Sequence, residues 1–181
     1  RDEDGERHIV CAGVWIAPDP ILTAAHCTEE EVEFLYYGEA NDYDDRGAPV
    51  PQAHGTHLVR RDEELDLAIL EANVPPDPHP AAGVSAAAVA PGMRVDVVGH
   101  TGGYPFSWAP GWLSSVRQMK GPEPIAGEFL QVWTGAWGGN SGGGVWDEEG
   151  NLLGICSFRS NGAPLTFFVS RDTLLGFLGA P

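Results

Sequence analysis

Short runs of apolar residues, several of them alternating with polar ones, recur along the chain of 181 residues, and glycine, proline or aspartate separates each run from the next. A period of two residues between apolar positions is typical of β-strands. The pattern predicts strands at residues 8–17, 31–37, 55–60, 67–71, 93–98, 113–119, 129–134 and 165–170, and a hairpin over residues 143–158.

A helical pattern is expected only near the end of the chain. In the segment 170–179, SRDTLLGFLG, Ser170 is placed to cap the helix, and Leu174, Leu175 and Leu178 are placed to form its buried stripe. Many short strands with glycine and proline turns, followed by one short helix, indicate an all-β fold, either a sandwich or a barrel.

The stretch 73–92 interrupts the strand pattern, because it combines a run of prolines with little periodicity of apolar residues. Such a segment favours a connector over a strand. We therefore expect two β units, residues 1–80 and residues 81–181.

Composition narrows the classes of protein that fit this pattern. The chain has 26 acidic and 10 basic residues, a formal net charge of −16, and such a surface repels nucleic acid and anionic membranes. Hydrophobic residues make up 43% of the chain, which is enough for a packed core, and we see no apolar run long enough to span a membrane. The chain begins at Arg1 without methionine or a signal-peptide core, so we expect a processed or trimmed product.

The chain has three cysteines, Cys11, Cys27 and Cys156. An odd number allows either one disulfide with one free thiol or no disulfide at all. The cysteines show neither the CxxC spacing nor the nearby histidines of a zinc site, so we expect no metal there.

Candidate chemistry centres on the segment GGNSGGG, residues 138–144, in which one serine lies among glycines that cost backbone entropy on folding. A serine hydroxyl becomes a nucleophile when a histidine, oriented by a buried acid, removes its proton. His26 follows an apolar strand in ILTAAHC, and Asp66 enters the apolar run in LDLAIL. We expect His26, Asp66 and Ser141 to act together, with the backbone N–H groups of Gly139 and Ser141 as an oxyanion hole.

These segments, TAAHC, DLAIL and GNSGG, resemble the trypsin/chymotrypsin-like serine protease family, in which histidine, aspartate and serine occur in this order. The GNSGG form is similar to that of compact bacterial members. The resemblance implies two packed six-stranded antiparallel Greek-key barrels with a short C-terminal helix. It places His26 and Asp66 in the first barrel, and Ser141 and the substrate pocket in the second.

Further positions match the family. The resemblance implies a disulfide between Cys11 and Cys27, which would pin the histidine loop, and a hydrogen bond from Ser157 near Asp66. The digestive members have aspartate where this chain has Asn140, and that aspartate receives a new N-terminal amine, so we expect a pocket that forms without amine insertion. By the same match, the substrate is bound by Gly135, Ala136, Cys156, Ser157, Phe158 and Arg159. Such a pocket favours a small or medium apolar side chain.

The sequence thus predicts a monomeric serine endopeptidase that acts on protein or peptide substrates without a cofactor and works best at neutral to alkaline pH. Two alternatives stay open, namely a catalytically silent peptide-binding module and the protease domain of a larger, partner-gated effector. A Cys11–Cys27 disulfide predicts a secreted or extracytoplasmic protein, and free thiols there would indicate an intracellular one. Whether calcium binds near Asp42, Asp44 and Asp45 is also open.

Overall fold

The computed structural model describes residues 11–16, 20–29, 33–36, 52–72, 82–104, 106–135 and 138–179. Within these ranges the chain forms strands and one α-helix, together with two short 3₁₀ turns at Ala25–Thr28 and Thr101–Gly103. The elements are β1 (Val14–Trp15), β2 (Pro20–Thr23), β3 (Glu33–Tyr36), β4 (Gln52–Asp62), β5 (Leu67–Ala72), β6 (Arg94–Gly99), β7 (Ser107–Lys120), β8 (Ala126–Trp133), β9 (Gly144–Trp146), β10 (Leu152–Arg159), β11 (Leu165–Ser170) and α1 (Arg171–Leu178).

The strands form two antiparallel units. The described residues of the N-terminal half make a five-stranded sheet in the order β1-β2-β5-β4-β3, and the C-terminal half closes into a six-stranded barrel in the order β10-β11-β8-β7-β6-β9. The expected all-β, trypsin-like double fold with a single short C-terminal helix is therefore confirmed. Residues 73–81 of the predicted connector lie outside the described residues.

The central strands of each unit carry the apolar residues that form its core. In the N-terminal sheet β5 is a central strand that pairs with both β2 and β4, and its first two residues, Leu67 and Ala68, are both buried. In the barrel β6 keeps strict alternation, with Val95 and Val97 pointing into the core.

The two units also share an apolar cluster. Val14, Leu22 and Leu67 from the N-terminal sheet pack with Phe129 and Ile155 from the barrel in one buried group. This shared core packs the first sheet against the barrel. A site built from both halves requires such a contact.

Helix α1 begins as the sequence predicted, because the Ser170 hydroxyl accepts a hydrogen bond from the Thr173 backbone N–H at 3.4 Å. The predicted stripe was partly wrong. Leu174 is buried and Leu178 packs against the core, but Phe177 takes the second fully buried position, and Leu175 is only half-buried. Positions 174, 177 and 178 follow the i, i+3, i+4 spacing of one helix face, from which 175 is displaced.

Candidate active site

Pairing of β2 with β5 brings His26 and Asp66 together. Thr23 at the end of β2 lies opposite Ala68, so the 3₁₀ turn that follows β2 faces the residue that precedes β5. His26 lies in that turn, and its Nδ1 is 2.9 Å from Asp66 Oδ1 and 3.0 Å from Oδ2. A pair 40 residues apart in sequence is thus positioned by the register of two neighbouring strands.

The carboxylate of Asp66 is buried and accepts hydrogen bonds from several donors. The residue is only 1% exposed, and besides His26 Nδ1 it accepts from the His26 backbone N–H at 3.1 Å and from the Ser157 hydroxyl. These bonds offset the cost of burying a carboxylate and fix its orientation relative to the imidazole. The predicted bond between Ser157 and Asp66 is thus present.

Asp66 raises the pKa of His26 above its ordinary value of 6.5, mainly through the hydrogen bond and also through its negative charge. The charge of Glu29 raises this pKa further, whereas burial of the imidazole lowers it. Because Nδ1 faces Asp66, Nε2 is the imidazole nitrogen left to accept a proton from another group. The His26 side chain is 36% exposed, so it remains accessible from the surface.

Ser141 lies in a turn that is shaped by glycines. Gly139 and Gly142 adopt φ values of 93° and 79°, which favour glycine strongly. A Cβ at Gly142 would lie 2.1 Å from Thr23 Oγ1 and 3.0 Å from the Ala24 backbone nitrogen. The turn that carries Ser141 therefore packs directly against the end of β2, three residues before His26.

The backbone N–H groups of this turn are oriented by their neighbouring carbonyls. The Gly138 carbonyl accepts from the Gly102 N–H at 2.7 Å, and the Asn140 carbonyl accepts from the Gly143 N–H at 2.8 Å. In a trans peptide the N–H points opposite to the carbonyl, so the N–H groups of Gly139 and Ser141 point away from these partners. Within the described ranges neither N–H has an acceptor, which leaves both available for a ligand oxygen.

A disulfide joins the segment that contacts Ser141 to the loop that carries His26. Cys11 and Cys27 are bonded, as predicted, and the Ala12 N–H donates to the Ser141 carbonyl at 2.7 Å. A ring nitrogen of His26 lies within 4.8 Å of both sulfurs, but cysteines in a disulfide offer no thiolate to a metal. Among the described residues no hydrogen bond joins the Ser141 hydroxyl to His26. The two are connected instead through Ala12, the disulfide and the end of β2.

A comparison with known protein families agrees with this geometry, because the family model of the trypsin-like peptidase domain matches residues 11–155. The chain belongs to the trypsin-like peptidase domain family. Serine protease Rv3671c of Mycobacterium tuberculosis is 26% identical over 149 residues, which cover 79% of this chain. This peptidase domain spans only 34% of the length of that relative.

Solved structures show the same fold. The active form of the Rv3671c protease from M. tuberculosis superposes with a TM-score of 0.77 at 25% identity, covering 93% of this chain and 71% of that one. The HtrA-type protease AlgW, solved with a decapeptide, gives a TM-score of 0.77 at 20% identity over 94% of this chain and 51% of that one. At such low identity the likeness to AlgW shows the fold alone.

The structure of the peptidase domain places the predicted pocket residues in different environments. Gly135 is exposed, and no atom lies within 4 Å of the position that a Cβ would take there. Cys156 is 4% exposed and packs in the barrel core, where burial, with a smaller contribution from Asp66, raises the pKa of its thiol to about 12. Ala136 lies outside the described residues.

A cavity of about 320 Å³ lies beside the imidazole, lined in part by His26, Ser157 and Phe158. Phe158 is held from behind by stacking on Phe167, with ring centroids 4.8 Å apart. The edge of β10 that pairs with β9 continues to Cys156, whose backbone bonds to that of Gly142 and Gly143. Beyond Cys156, this edge pairs with no strand in the described part of the chain.

Sequence reasoning missed several contributors to this site. Glu29, Glu63 and Glu123 also line the cavity, and no motif marked them. Thr101 bonds to the side chain of Asn140 and carried no signal, because a threonine after a strand has many ordinary uses. Residues Asp42, Asp44 and Asp45, the candidate calcium ligands, and Arg1–Val10 fall outside the described residues. Within the described ranges no helix has the length and apolar character to cross a membrane.

Proposed function

We propose that the peptidase domain is a serine endopeptidase that hydrolyses peptide bonds through an acyl-enzyme, with His26 as base, Asp66 as its orienting partner and Ser141 as nucleophile. The observation that carries the proposal is the His26–Asp66 pair, in which Nδ1 faces the carboxylate, together with a serine turn that packs against the end of β2. Within the described residues, two backbone N–H groups of that turn have no acceptor. Membership of a peptidase family supports the same chemistry.

In the first half-reaction the Ser141 hydroxyl gives its proton to His26 Nε2 while Oγ forms a bond to the carbonyl carbon of the substrate. The carbonyl oxygen becomes an oxyanion and accepts from the N–H groups of Gly139 and Ser141. Asp66 stabilises the imidazolium, which then protonates the leaving amine as the C–N bond breaks. Serine–histidine bonds are often long without substrate and shorten in the complex, which is compatible with the lack of a Ser141–His26 hydrogen bond among the described residues.

In the second half-reaction water replaces the departed amine. His26 removes a proton from the water, whose oxygen attacks the ester carbon of the acyl-enzyme, and the second oxyanion uses the same two N–H groups. Collapse of this intermediate returns the proton from His26 to Ser141 Oγ and releases the carboxylic acid. Each proton taken up by the imidazole is given back, so no cofactor is required.

We propose that the substrate backbone adds as an antiparallel strand to residues 157–159 of β10, because the pairing of β10 with β9 ends at Ile155. The open space at Gly135 supports a primary pocket there, which together with Ala136 and Cys156 prefers a small or medium apolar side chain. The neutral thiol of Cys156 adds no charge to such a pocket. Phe158 and Arg159 would contact the neighbouring substrate residues.

Three wider statements belong to the same proposal. Residues 1–80 and 81–181 form two barrel units with the site between them, as the shared core and the contact of Gly142 with Thr23 support. The Cys11–Cys27 disulfide, which closes a separation of 16 residues, supports a secreted or extracytoplasmic setting. The domain acts on proteins or peptides as a monomer.

Replacement of the nucleophile tests the proposal. Wild-type protein should react with a fluorophosphonate probe and cleave casein, and Ser141→Ala should abolish both. Ser114→Ala, which removes an exposed hydroxyl on β7, is the matched control and should leave both unchanged. Wild-type protein that binds peptides but neither cleaves casein nor takes up the probe would overturn the proposal in favour of a silent binding module.

A further inference from the structure

The side chain of Asn140, the residue before the proposed nucleophile, is enclosed, and both of its polar atoms bond to the hydroxyl of Thr101. Asn140 is 1% exposed. Its Nδ2 donates to Thr101 Oγ1 at 2.9 Å, and the same hydroxyl donates to Asn140 Oδ1 at 3.2 Å. The pairing stands whichever way the amide is assigned, because a hydroxyl both donates and accepts.

Thr101 belongs to a short segment, residues 99–103, that lies against the turn 138–141; we call it the supporting loop. The Gly102 N–H bonds to the Gly138 carbonyl at 2.7 Å, and the His100 N–H bonds to the Gly139 carbonyl at 3.3 Å. With the Thr101–Asn140 pair, three successive residues of the turn are each held by one residue of the supporting loop.

The contact between the supporting loop and the turn is close. A Cβ at Gly139 would lie 2.1 Å from the His100 carbonyl oxygen, and a Cβ at Gly99 would lie 2.2 Å from Asn140 Oδ1. The turn therefore has no room to shift towards the loop. The backbone bonds resist a shift away from it, and the Thr101 hydroxyl adds a side-chain bond to Asn140.

The Asn140 residue adjoins the peptide plane of a proposed oxyanion donor. The peptide plane between Asn140 and Ser141 carries the Ser141 N–H, and its orientation depends on the backbone angles of Asn140. Anchoring the Asn140 amide restricts those angles, as does the bond from the Gly143 N–H to the Asn140 carbonyl. Preorganised donors contribute to catalysis only while they keep their direction.

We propose that Thr101 is a positioning residue whose hydroxyl, through Asn140, fixes the Ser141 N–H in the orientation that binds the oxyanion. This rests on the proposed function, because it assigns the oxyanion to this turn. Thr101 touches no substrate; it acts only through the buried amide. Its loss therefore weakens stabilisation of the transition state while substrate binding to β10 is retained.

The test replaces Thr101 by valine, which has nearly the same shape without the hydroxyl, and by serine, which keeps it. Thr101→Val should lower kcat about tenfold or more, less than the 10²- to 10³-fold that removal of a whole oxyanion donor costs. KM should stay within about twofold, and Thr101→Ser should restore most of kcat. Active-site titration with the fluorophosphonate probe normalises each rate to the amount of competent enzyme.

Two further readouts separate positioning from a merely structural role. A peptide aldehyde, whose adduct with Ser141 presents an oxyanion, should bind Thr101→Val more weakly by about the same factor as the loss in kcat. The acid limb of the pH profile should not move, because Asp66 still sets the pKa of His26. Should Thr101→Val not fold, Thr101→Ala removes the hydroxyl without adding a methyl contact, and the same criteria apply.

Unchanged kcat in the valine variant, equal losses in the valine and serine variants, or a loss expressed in KM would each overturn the role of Thr101. These outcomes are distinct from failure of the proposed function. If the proposed function failed, the wild-type protein itself would neither react with the probe nor turn over casein.

Discussion

The His26–Asp66 pair lies on the N-terminal sheet and is fixed by hydrogen bonds to one buried carboxylate, whereas the turn around Ser141 lies in the C-terminal barrel and is fixed by backbone hydrogen bonds at glycines. The pair depends on the charge and acceptor capacity of a single side chain. The turn depends on the absence of side chains where the backbone meets the supporting loop. A substitution at the pair should therefore change its chemistry, and one at the turn should change its shape.

The two regions also differ in their distance from solvent. The His26 imidazole is 36% exposed, so nearby surface charges act on it, whereas Gly139 and Asn140 are enclosed and respond to packing. The disulfide and Ala12 connect the regions, since Cys11 precedes the residue that bonds to Ser141 and Cys27 follows His26. This arrangement allows each region to be changed separately and the results to be compared.

The largest effect is expected from Asp66→Asn, which keeps the shape of the side chain and removes its charge. The amide has one acceptor oxygen, whereas the donors now meet two carboxylate oxygens. Its NH₂ group would favour the imidazole tautomer that has its proton on Nε2. In that tautomer Nε2 cannot accept a proton from Ser141. We expect kcat to fall roughly 10⁴-fold, as tautomer loss does in this type of triad. Steady-state kinetics on a chromogenic peptide measures this, with circular dichroism to verify the fold.

The same variant has a signature in its pH dependence. The reaction requires neutral His26, so activity rises with pH through the pKa of His26, which Asp66 raises above 6.5. Removal of the charge lowers that pKa, and the acid limb of the residual activity should move to lower pH. Asp66→Asn enzyme with near-normal kcat, or with its limb moved upward, would rule out Asp66 as the partner of His26.

The next effect concerns the turn and compares two neighbouring glycines. Gly139→Ala would place a Cβ 2.1 Å from the His100 carbonyl at a φ of 93°, so the backbone must move and its N–H must change direction. We expect kcat to fall about 10²- to 10³-fold, the cost of one oxyanion donor. The acid limb of the pH–activity profile should not move in this variant, whereas in Asp66→Asn it should move to lower pH.

Gly138→Ala is the matched control. No atom lies within 4 Å of a Cβ at Gly138, and the residue is exposed, so this variant should keep most of kcat. If both alanine variants lost kcat to the same extent, the loss at Gly139 would reflect a general effect of the motif rather than the direction of its N–H.

The sequence predicted the pair and the turn to different extents. Alternating apolar residues predicted most strands, and the short segments TAAHC and DLAIL predicted the contact between His26 and Asp66. The part assigned to Ser141 stays a prediction. The supporting loop had no local signature, since its contacts with Asn140 join residues 39 apart in sequence through one hydroxyl. Phe177 was missed for a related reason: several apolar residues compete for one helix face, and the packing of the barrel decides among them.

The smallest effect is expected from Glu29, which adds to the raised pKa of His26 only through its charge. Its side chain is 68% exposed, so solvent and salt screen that charge. Glu29→Gln should move the acid limb of kcat/KM to lower pH by less than Asp66→Asn does, without loss of activity at alkaline pH. Glu63→Gln is the control, because Glu63 is 64% exposed and also pairs with Arg61 but does not contribute to the pKa of His26. The shift in Glu29→Gln should shrink as ionic strength rises; an equal shift in Glu63→Gln would mean that overall net charge, rather than the position of Glu29, affects the imidazole.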